Sequence, residues 1–195
     1  MGMDTRVLLI EAGPTQWDAE GRISGSMSLP LTGEAIDSVR HLVDSLAEGV
    51  GSVYRPAENE ACDQVGKIIG KKFKLRPRDV PELQEVHMGL WQGLTGEELR
   101  MRFPTVFPQW QANPLSVTPP DGEPVAEAIG RISGALQRIF RRNRGMTVAL
   151  ALRPMALQIA LGLILGLPPE KIAGNLHQRQ ALASMEVGPR SFKAA

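Results

Sequence analysis

The stretch that decides the fold lies near the start of the chain and reads Arg6-Val-Leu-Leu-Ile-Glu-Ala-Gly-Pro14. Its apolar run stops abruptly at Glu11, which is typical of a strand buried on both faces of a parallel sheet. Thr147-Val-Ala-Leu-Ala151 repeats the pattern, and residues 52–54 and 182–187 also have the character of strands. These runs predict the strands of one mostly parallel sheet.

Amphipathic segments separate these strands. Apolar residues recur at helical spacing over residues 36–46, 61–69, 125–139 and about 155–166. The capping-box pattern Thr95-Gly-Glu-Glu98 predicts a further short helix. The alternation predicts a single α/β domain over residues 1–195, with a doubly wound sheet between two layers of helices.

Composition limits the classes of function. The 195 residues carry a formal net charge of +1, which favours neither nucleic acid nor an anionic membrane surface. Cys62 is the only cysteine, so an intramolecular disulfide is excluded and a reducing compartment is favoured. Arg153-Pro154 interrupts the apolar stretch 146–167, and the start of the chain has no secretion signal. We therefore expect a cytoplasmic protein without a membrane span, a cofactor or a bound metal.

Two other segments have a structural interpretation. Residues 104–121 contain five prolines, which predicts a surface excursion that covers a pocket. The basic run Arg141-Arg-Asn-Arg144 closes a predicted helix, where cations complement the helix dipole. It lacks the interleaved aromatic residues of an RNA-binding surface, so we interpret it as a solvated helix end.

Charged residues follow the predicted strands directly. They lie in Glu11-Ala-Gly13, in Arg55-Pro56 and in Leu152-Arg-Pro154. In open parallel sheets the ligand crevice lies beyond the carboxyl ends of the strands. Neither Ala12 nor Arg153 is a nucleophile, so the sequence predicts a pocket without an evident reaction.

The order of these motifs resembles the histidine phosphatase (phosphoglycerate mutase-like) superfamily. The resemblance runs from Arg6 to about Val187 and implies that family's α/β fold. The matching segments are Val7-Leu-Leu-Ile-Glu-Ala-Gly-Pro-Thr-Gln-Trp-Asp18, Gly21-Arg-Ile-Ser-Gly25, Leu29-Pro-Leu-Thr32, Glu85-Val-His-Met-Gly89, Trp91-Gln-Gly93, Glu97-Glu-Leu99, Pro120-Asp-Gly-Glu123 and Thr147-Val-Ala-Leu-Ala-Leu-Arg-Pro-Met155.

The resemblance also implies a set of site positions. In the family one histidine carries the phosphoryl group, two arginines and a second histidine hold it, and an acid supplies a proton. Here the first arginine corresponds to Glu11, the nucleophile to Ala12 and the second histidine to Arg153. The second arginine falls on Glu60, or on Asn59 by strict count from Pro56. Two groups that match the family are retained, the proton donor as Glu85 and a loop arginine as Arg22.

These exchanges reverse the charge of the expected pocket. With Glu60 in register, three carboxylates face Arg153, and a phosphate dianion would meet repulsion. One hypothesis has Arg153 bridging Glu11 and Glu60 in a closed network, and another has these residues drifting toward water. A divalent cation on the carboxylates is a third, less favoured because of the adjacent arginine.

The histidines and tryptophans have simpler interpretations. His87 could replace the lost nucleophile but is better explained as a solvated loop residue. His177 is expected on the surface, and His41 on the first helix away from the strand ends. Trp91 and Trp110 are expected in the core and in the covering segment.

The sequence therefore predicts a pseudoenzyme that acts by binding or regulation. Its partner would be an unidentified protein, a small ligand or a second copy of the chain. The alternative is an enzyme, either a hydrolase of divergent mechanism or a residual phosphatase or mutase, that uses Glu85 or His87. An intact pocket under the proline-rich segment would favour the hydrolase, and occlusion by salt bridges would favour the binding protein.

Overall fold

Five strands form one sheet in the order β3-β2-β4-β1-β5. A computed structural model describes residues 4–46, 49–177 and 182–187 of the chain. The strands are β1 (Thr5–Glu11), β2 (Ser52–Arg55), β3 (Arg78–Asp79), β4 (Thr147–Leu152) and β5 (Leu182–Val187). Only β5 is antiparallel to its neighbour, β1. The predicted mostly parallel sheet is confirmed, and the edge strand β3 was not predicted.

Eight α-helices surround the sheet in the described residues. They are α1 (Gln16–Ala19), α2 (Gly33–Ser45), α3 (Glu60–Phe73), α4 (Gly96–Arg102), α5 (Val106–Ala112), α6 (Val125–Arg142), α7 (Pro154–Ile164) and α8 (Pro169–Gly174). Single 3₁₀ turns occupy Pro81–Leu83 and Gly89–Trp91. The predicted helices are confirmed, whereas α1, α5 and α8 are additional because their short segments lack a helical apolar repeat.

Alternating strand residues build two cores. In β1, Leu8 and Ile10 pack with the buried residues of α2 and α3, while Val7 and Leu9 pack with those of α6 and α7. Burial on both faces explains why the strand reads as a continuous apolar run. The helices therefore cover both faces, as the sequence predicts.

The pairing of β1 with β4 fixes the position of the site. Glu11 lies opposite Leu152 at the carboxyl ends of these strands, and the Ala12 N–H donates to the Leu152 carbonyl at 2.7 Å. Arg153 follows as the N-cap of α7. The residues that follow the two strands are consequently held side by side.

The surface agrees with two sequence interpretations. Arg141, Arg142 and Arg144 are exposed at and beyond the end of α6, which confirms the solvated helix end. In the described ranges no helix is both long and apolar enough to cross a membrane.

Gly89 is required by a close backbone approach. Its φ is +51°, and a Cβ atom there would lie 2.0 Å from the Pro120 carbonyl oxygen. The Leu90 N–H donates to the same carbonyl at 2.9 Å, which ties the loop after Glu85 to the segment before α6.

We expect Gly89→Ala to lower the free energy of unfolding by about 3 kcal/mol, because it adds a clash to an unfavourable backbone conformation. Gly130→Ala is the control, since Gly130 is an exposed residue of α6 with open space around its Cα. It should stabilise by about 0.5–1 kcal/mol. Urea unfolding measures both, and equal stabilities of Gly89→Ala and wild type would contradict the assignment.

Candidate functional site

The Glu85 carboxylate lies at the N-terminus of α7. Its Oε1 accepts from the Val86 N–H at 2.8 Å and from the Ala156 N–H at 2.9 Å, and its Oε2 accepts from the Met155 N–H at 2.8 Å. Unpaired N–H groups make a helix N-terminus a ready anion site. Here the protein fills that site with its own side chain.

Burial sets the protonation behaviour of this carboxyl. Glu85 is 3% exposed, and burial raises the pKa of its carboxyl group. The three N–H donors and the positive charge of Arg153 act in the opposite direction without reversing the shift. Both oxygens accept hydrogen bonds from backbone N–H groups, so this side chain holds the start of α7 in addition to lining the cavity.

Arg153 forms a buried ion pair with Asp18. Its Nη2 lies 2.8 Å and 3.0 Å from the two Asp18 carboxylate oxygens, and its Nη1 donates to the Ala12 carbonyl. Arg153 is 2% exposed. Burial alone would raise the pKa of Asp18, but Arg153 and the hydrogen bonds from Thr15 outweigh it and hold the pKa below its usual value. The pair is therefore ionised and internally satisfied at neutral pH.

A capping box orients Asp18. Thr15 caps α1, and the Asp18 carboxylate accepts from the Thr15 N–H at 2.7 Å and from its hydroxyl at 2.8 Å. Ser24 donates a further hydrogen bond at 3.2 Å. Asp18 is a site residue that was not predicted from the sequence. The signal was present, because Asp18 stands where the resembled family has asparagine and where a capping box places an acid.

The predicted bridge from Arg153 to Glu11 and Glu60 is wrong. In the described residues Arg153 bonds to Asp18 and Ala12 instead. Glu60 is exposed at the start of α3, because Asn59 caps that helix and turns inward. Three carboxylates therefore do not meet here. Glu11 is 8% exposed at the end of β1.

The Asn59 register is the one that places a buried side chain at the predicted arginine position. Asn59 is 2% exposed, its Oδ1 accepts from the Cys62 N–H at 3.1 Å, and its Nδ2 has no partner among the described residues. An amide there brings no charge to the site. Cys62 is buried, and burial raises the pKa of its thiol, so it supplies no thiolate.

A cavity of about 350 Å³ adjoins the ion pair and Glu85. Its walls include Met88, Met155 and Leu176 from the core side, with Phe107 and Trp110 from α5. The prediction that the proline-rich segment covers a pocket is confirmed. Trp91 is fully buried, and Trp110 is 2% exposed in the cavity wall, as expected of core and covering residues.

Arg22 and His87, the two residues expected to bind a residual ligand, are not brought together. Arg22 lines the cavity, but its guanidinium pairs with Glu20 at 2.8 Å and lies 3.5 Å from Glu98. His87 is exposed and lies outside that cavity, on a shallow surface depression shared with Glu123.

His177 lines the cavity, whereas the sequence predicted only a surface residue. Although the residue is exposed, its ring packs edge-on against Trp110 at 5.2 Å between centroids and lines the cavity. Burial of the ring lowers its pKa below 6.5. His41 lies on α2, as predicted.

No group of three or more histidine, cysteine, aspartate or glutamate side chains in the described part of the chain could hold a metal ion. The structure thus offers no support for the cation hypothesis.

The sheet order and a crevice at the ends of β1 and β4 define a doubly wound α/β protein. The chain belongs to the histidine phosphatase superfamily (branch 1), whose family model matches residues 7–194.

Known proteins share this similarity over most of their length. The chain is 29% identical to the protein named "Probable phosphoglycerate mutase GpmB" of Yersinia enterocolitica, covering 84% of this chain and 76% of the relative. It is 21% identical to phosphoserine phosphatase 1 of Hydrogenobacter thermophilus, covering 85% and 79%. The structure of Bacillus stearothermophilus YhfR superposes with a TM-score of 0.85 at 23% identity, covering 98% and 95%.

We expect strong coupling between Asp18 and Arg153. Asp18→Ala should lower the free energy of unfolding by about 3 kcal/mol because it leaves a buried guanidinium without its counter-ion. In a double-mutant cycle with Arg153→Met, the interaction energy should reach about 2 kcal/mol. The same cycle on the exposed pair Asp37 and Arg40, 3.0 Å apart on α2, is the control. Urea unfolding gives both energies, and equal values would contradict a structural role for the buried pair.

His177 should titrate with a midpoint below 6.5, as followed by NMR of its ring protons. Because the folded protein favours the neutral ring, the unfolded chain binds more protons between the folded midpoint and 6.5. Stability therefore rises with pH across that window, and His177→Phe should reduce the dependence. A midpoint at or above 6.5 would rule out burial of the ring.

Proposed function

We propose that this chain is a non-catalytic histidine phosphatase that acts by binding or regulation rather than by phosphoryl transfer. The observation that carries the proposal is the Glu85 carboxylate on the N–H groups of Met155 and Ala156, where α7 begins. A helix N-terminus next to an arginine would otherwise suit an anion such as phosphate.

The charges at the strand ends support the same proposal. Phosphoryl transfer depends on positive charge around the transferring group. Arg153 is neutralised by Asp18 at 2.8 Å, and the pKa of the Asp18 carboxyl is lowered, so its negative charge lies in the wall of the cavity. Two like charges about 4 Å apart repel by about 4 kcal/mol at an effective dielectric of about 20. A phosphate dianion would be repelled here.

The absence of a nucleophile is the second support. Ala12 follows β1 at the position that the family resemblance assigns to the phosphorylated histidine, and it is fully buried. A methyl group cannot attack phosphorus. The Cys62 thiol is buried, and His87 lies outside the cavity that adjoins Arg153, so neither replaces it. The relatives are named as a mutase and a phosphatase, so this proposal separates the chain from their printed activities.

A divergent hydrolase is the second candidate, and the intact cavity under α5 favours it. Such an enzyme would use Glu85 to activate water on a substrate less anionic than a phosphate ester. The three backbone donors on Glu85 weigh against it, because they occupy three of the roughly four lone-pair sites of that carboxylate and hold it at the start of α7.

The test is turnover of an aryl phosphate and a panel of phosphometabolites, with inorganic phosphate followed by thermal shift. We expect no turnover and no stabilisation by phosphate in the wild-type protein. Glu85→Ala should remain inactive yet gain stabilisation by phosphate, because three N–H donors become available beside Arg153. Glu97→Ala, which changes an exposed glutamate of α4, is the control and should behave as wild type.

Wild-type turnover that disappears in Glu85→Ala and persists in Glu97→Ala would overturn the proposal and identify a working acid. Hydrolysis of esters other than phosphates with the same dependence would favour the second candidate.

A further inference from the structure

The charged side chains that line the 350 Å³ cavity are already engaged within the protein. Asp18 pairs with Arg153, and Arg22 pairs with Glu20 and donates to the Gly93 carbonyl at 2.8 Å. Glu85 accepts three backbone hydrogen bonds. A charged ligand would have to compete with these contacts, and breaking the buried pair of Asp18 and Arg153 would leave a charge without its partner.

Among the described residues, the hydrogen-bonding groups of the cavity wall that remain available are uncharged. The Ser24 hydroxyl uses its proton on Asp18, so its oxygen can still accept a hydrogen bond. The Gln111 amide and the His177 ring also line the cavity. Neither side chain makes a hydrogen bond to another described residue. Together they can donate to and accept from a hydroxyl group.

The rest of the wall is apolar and partly aromatic. Phe107 and Trp110 project from α5, and Met88, Met155 and Leu176 complete the surface. Flexible methionines beside aromatic rings accommodate ligand bodies of varied shape. The cavity volume falls at the lower end of the range for small-molecule sites.

We propose that this cavity binds a small uncharged molecule that carries a hydroxyl group on an aromatic or aliphatic body. The inference rests on the proposed binding function and narrows it. The body lies against Trp110 and Met155, and the hydroxyl bonds to Ser24, Gln111 and His177. The chain thus recognises an alcohol where a phosphatase would recognise its phosphate ester.

The test uses three probes with one benzyl group and different head charges: benzyl alcohol, benzylamine and benzyl phosphate. Binding to the full chain is followed by NMR of ¹³C-labelled methionine methyl groups, assigned through Met88→Leu and Met155→Leu. Met146, at the opposite end of β4, is the internal control, and it is exposed. Phosphorus NMR of the benzyl phosphate sample reports any hydrolysis.

We expect benzyl alcohol to shift the Met88 and Met155 signals saturably, with a dissociation constant on the order of 1 mM, and to leave Met146 unchanged. Its affinity should exceed that of benzyl phosphate and of benzylamine by roughly tenfold or more. The double variant Gln111→Leu with His177→Phe should weaken alcohol binding roughly tenfold. Gln137→Leu with His41→Phe, both exposed and outside the cavity, should not.

Three results would overturn the inference: no shift with benzyl alcohol, equal or tighter binding of either charged probe, or unchanged affinity in the Gln111 and His177 variant. Hydrolysis of benzyl phosphate would instead overturn the proposed function. The two failures are therefore distinguishable in the same samples.

Discussion

The constraint on which this structure depends is that buried charge at the carboxyl ends of β1 and β4 must be compensated from within. The carboxyl ends of neighbouring parallel strands lie side by side, so the polar side chains that follow them are held close together in surroundings of low polarity. Here both buried groups, Glu85 and Arg153, have partners within the protein. The start of α7 holds Glu85, and Asp18 holds Arg153.

The two compensations depend on one another through α7. Arg153 is the N-cap of this helix, and the next residues donate the N–H groups that bind Glu85. A shift of the helix would disturb the ion pair and the carboxylate contacts together. Internal satisfaction of this kind rigidifies a site. The cavity beside the ion pair stays open, because Asp18, Glu85 and Arg153 lie in its wall and do not fill it.

The cavity wall consequently differs in polarity and charge from the strand ends beside it. α5 contributes aromatic surface, and Ser24, Gln111 and His177 contribute uncharged hydrogen-bonding groups. Both of the outcomes that would separate a binding protein from a divergent hydrolase are therefore present, an intact pocket and a closed charge network. The three N–H donors on Glu85 favour the binding protein, since they occupy most of the lone pairs that a general base would offer to water.

The sequence by itself determined the sheet, the main helices and the positions after β1 and β4. Continuous apolar runs such as 7–10 and helical repeats such as 125–139 report burial directly, because local periodicity and burial are linked. The covering role of residues 104–121 was also predictable from proline content. Which residues pair with Arg153 and Glu85 was decided only by the tertiary structure. Asp18 rather than Glu60 meets Arg153, and α7 rather than a cation holds Glu85. The physical reason is that ion pairing depends on which way each side chain turns at the start of a helix. Capping by Thr15 and Asn59 sets that direction, and the sheet then brings together residues separated by more than a hundred positions.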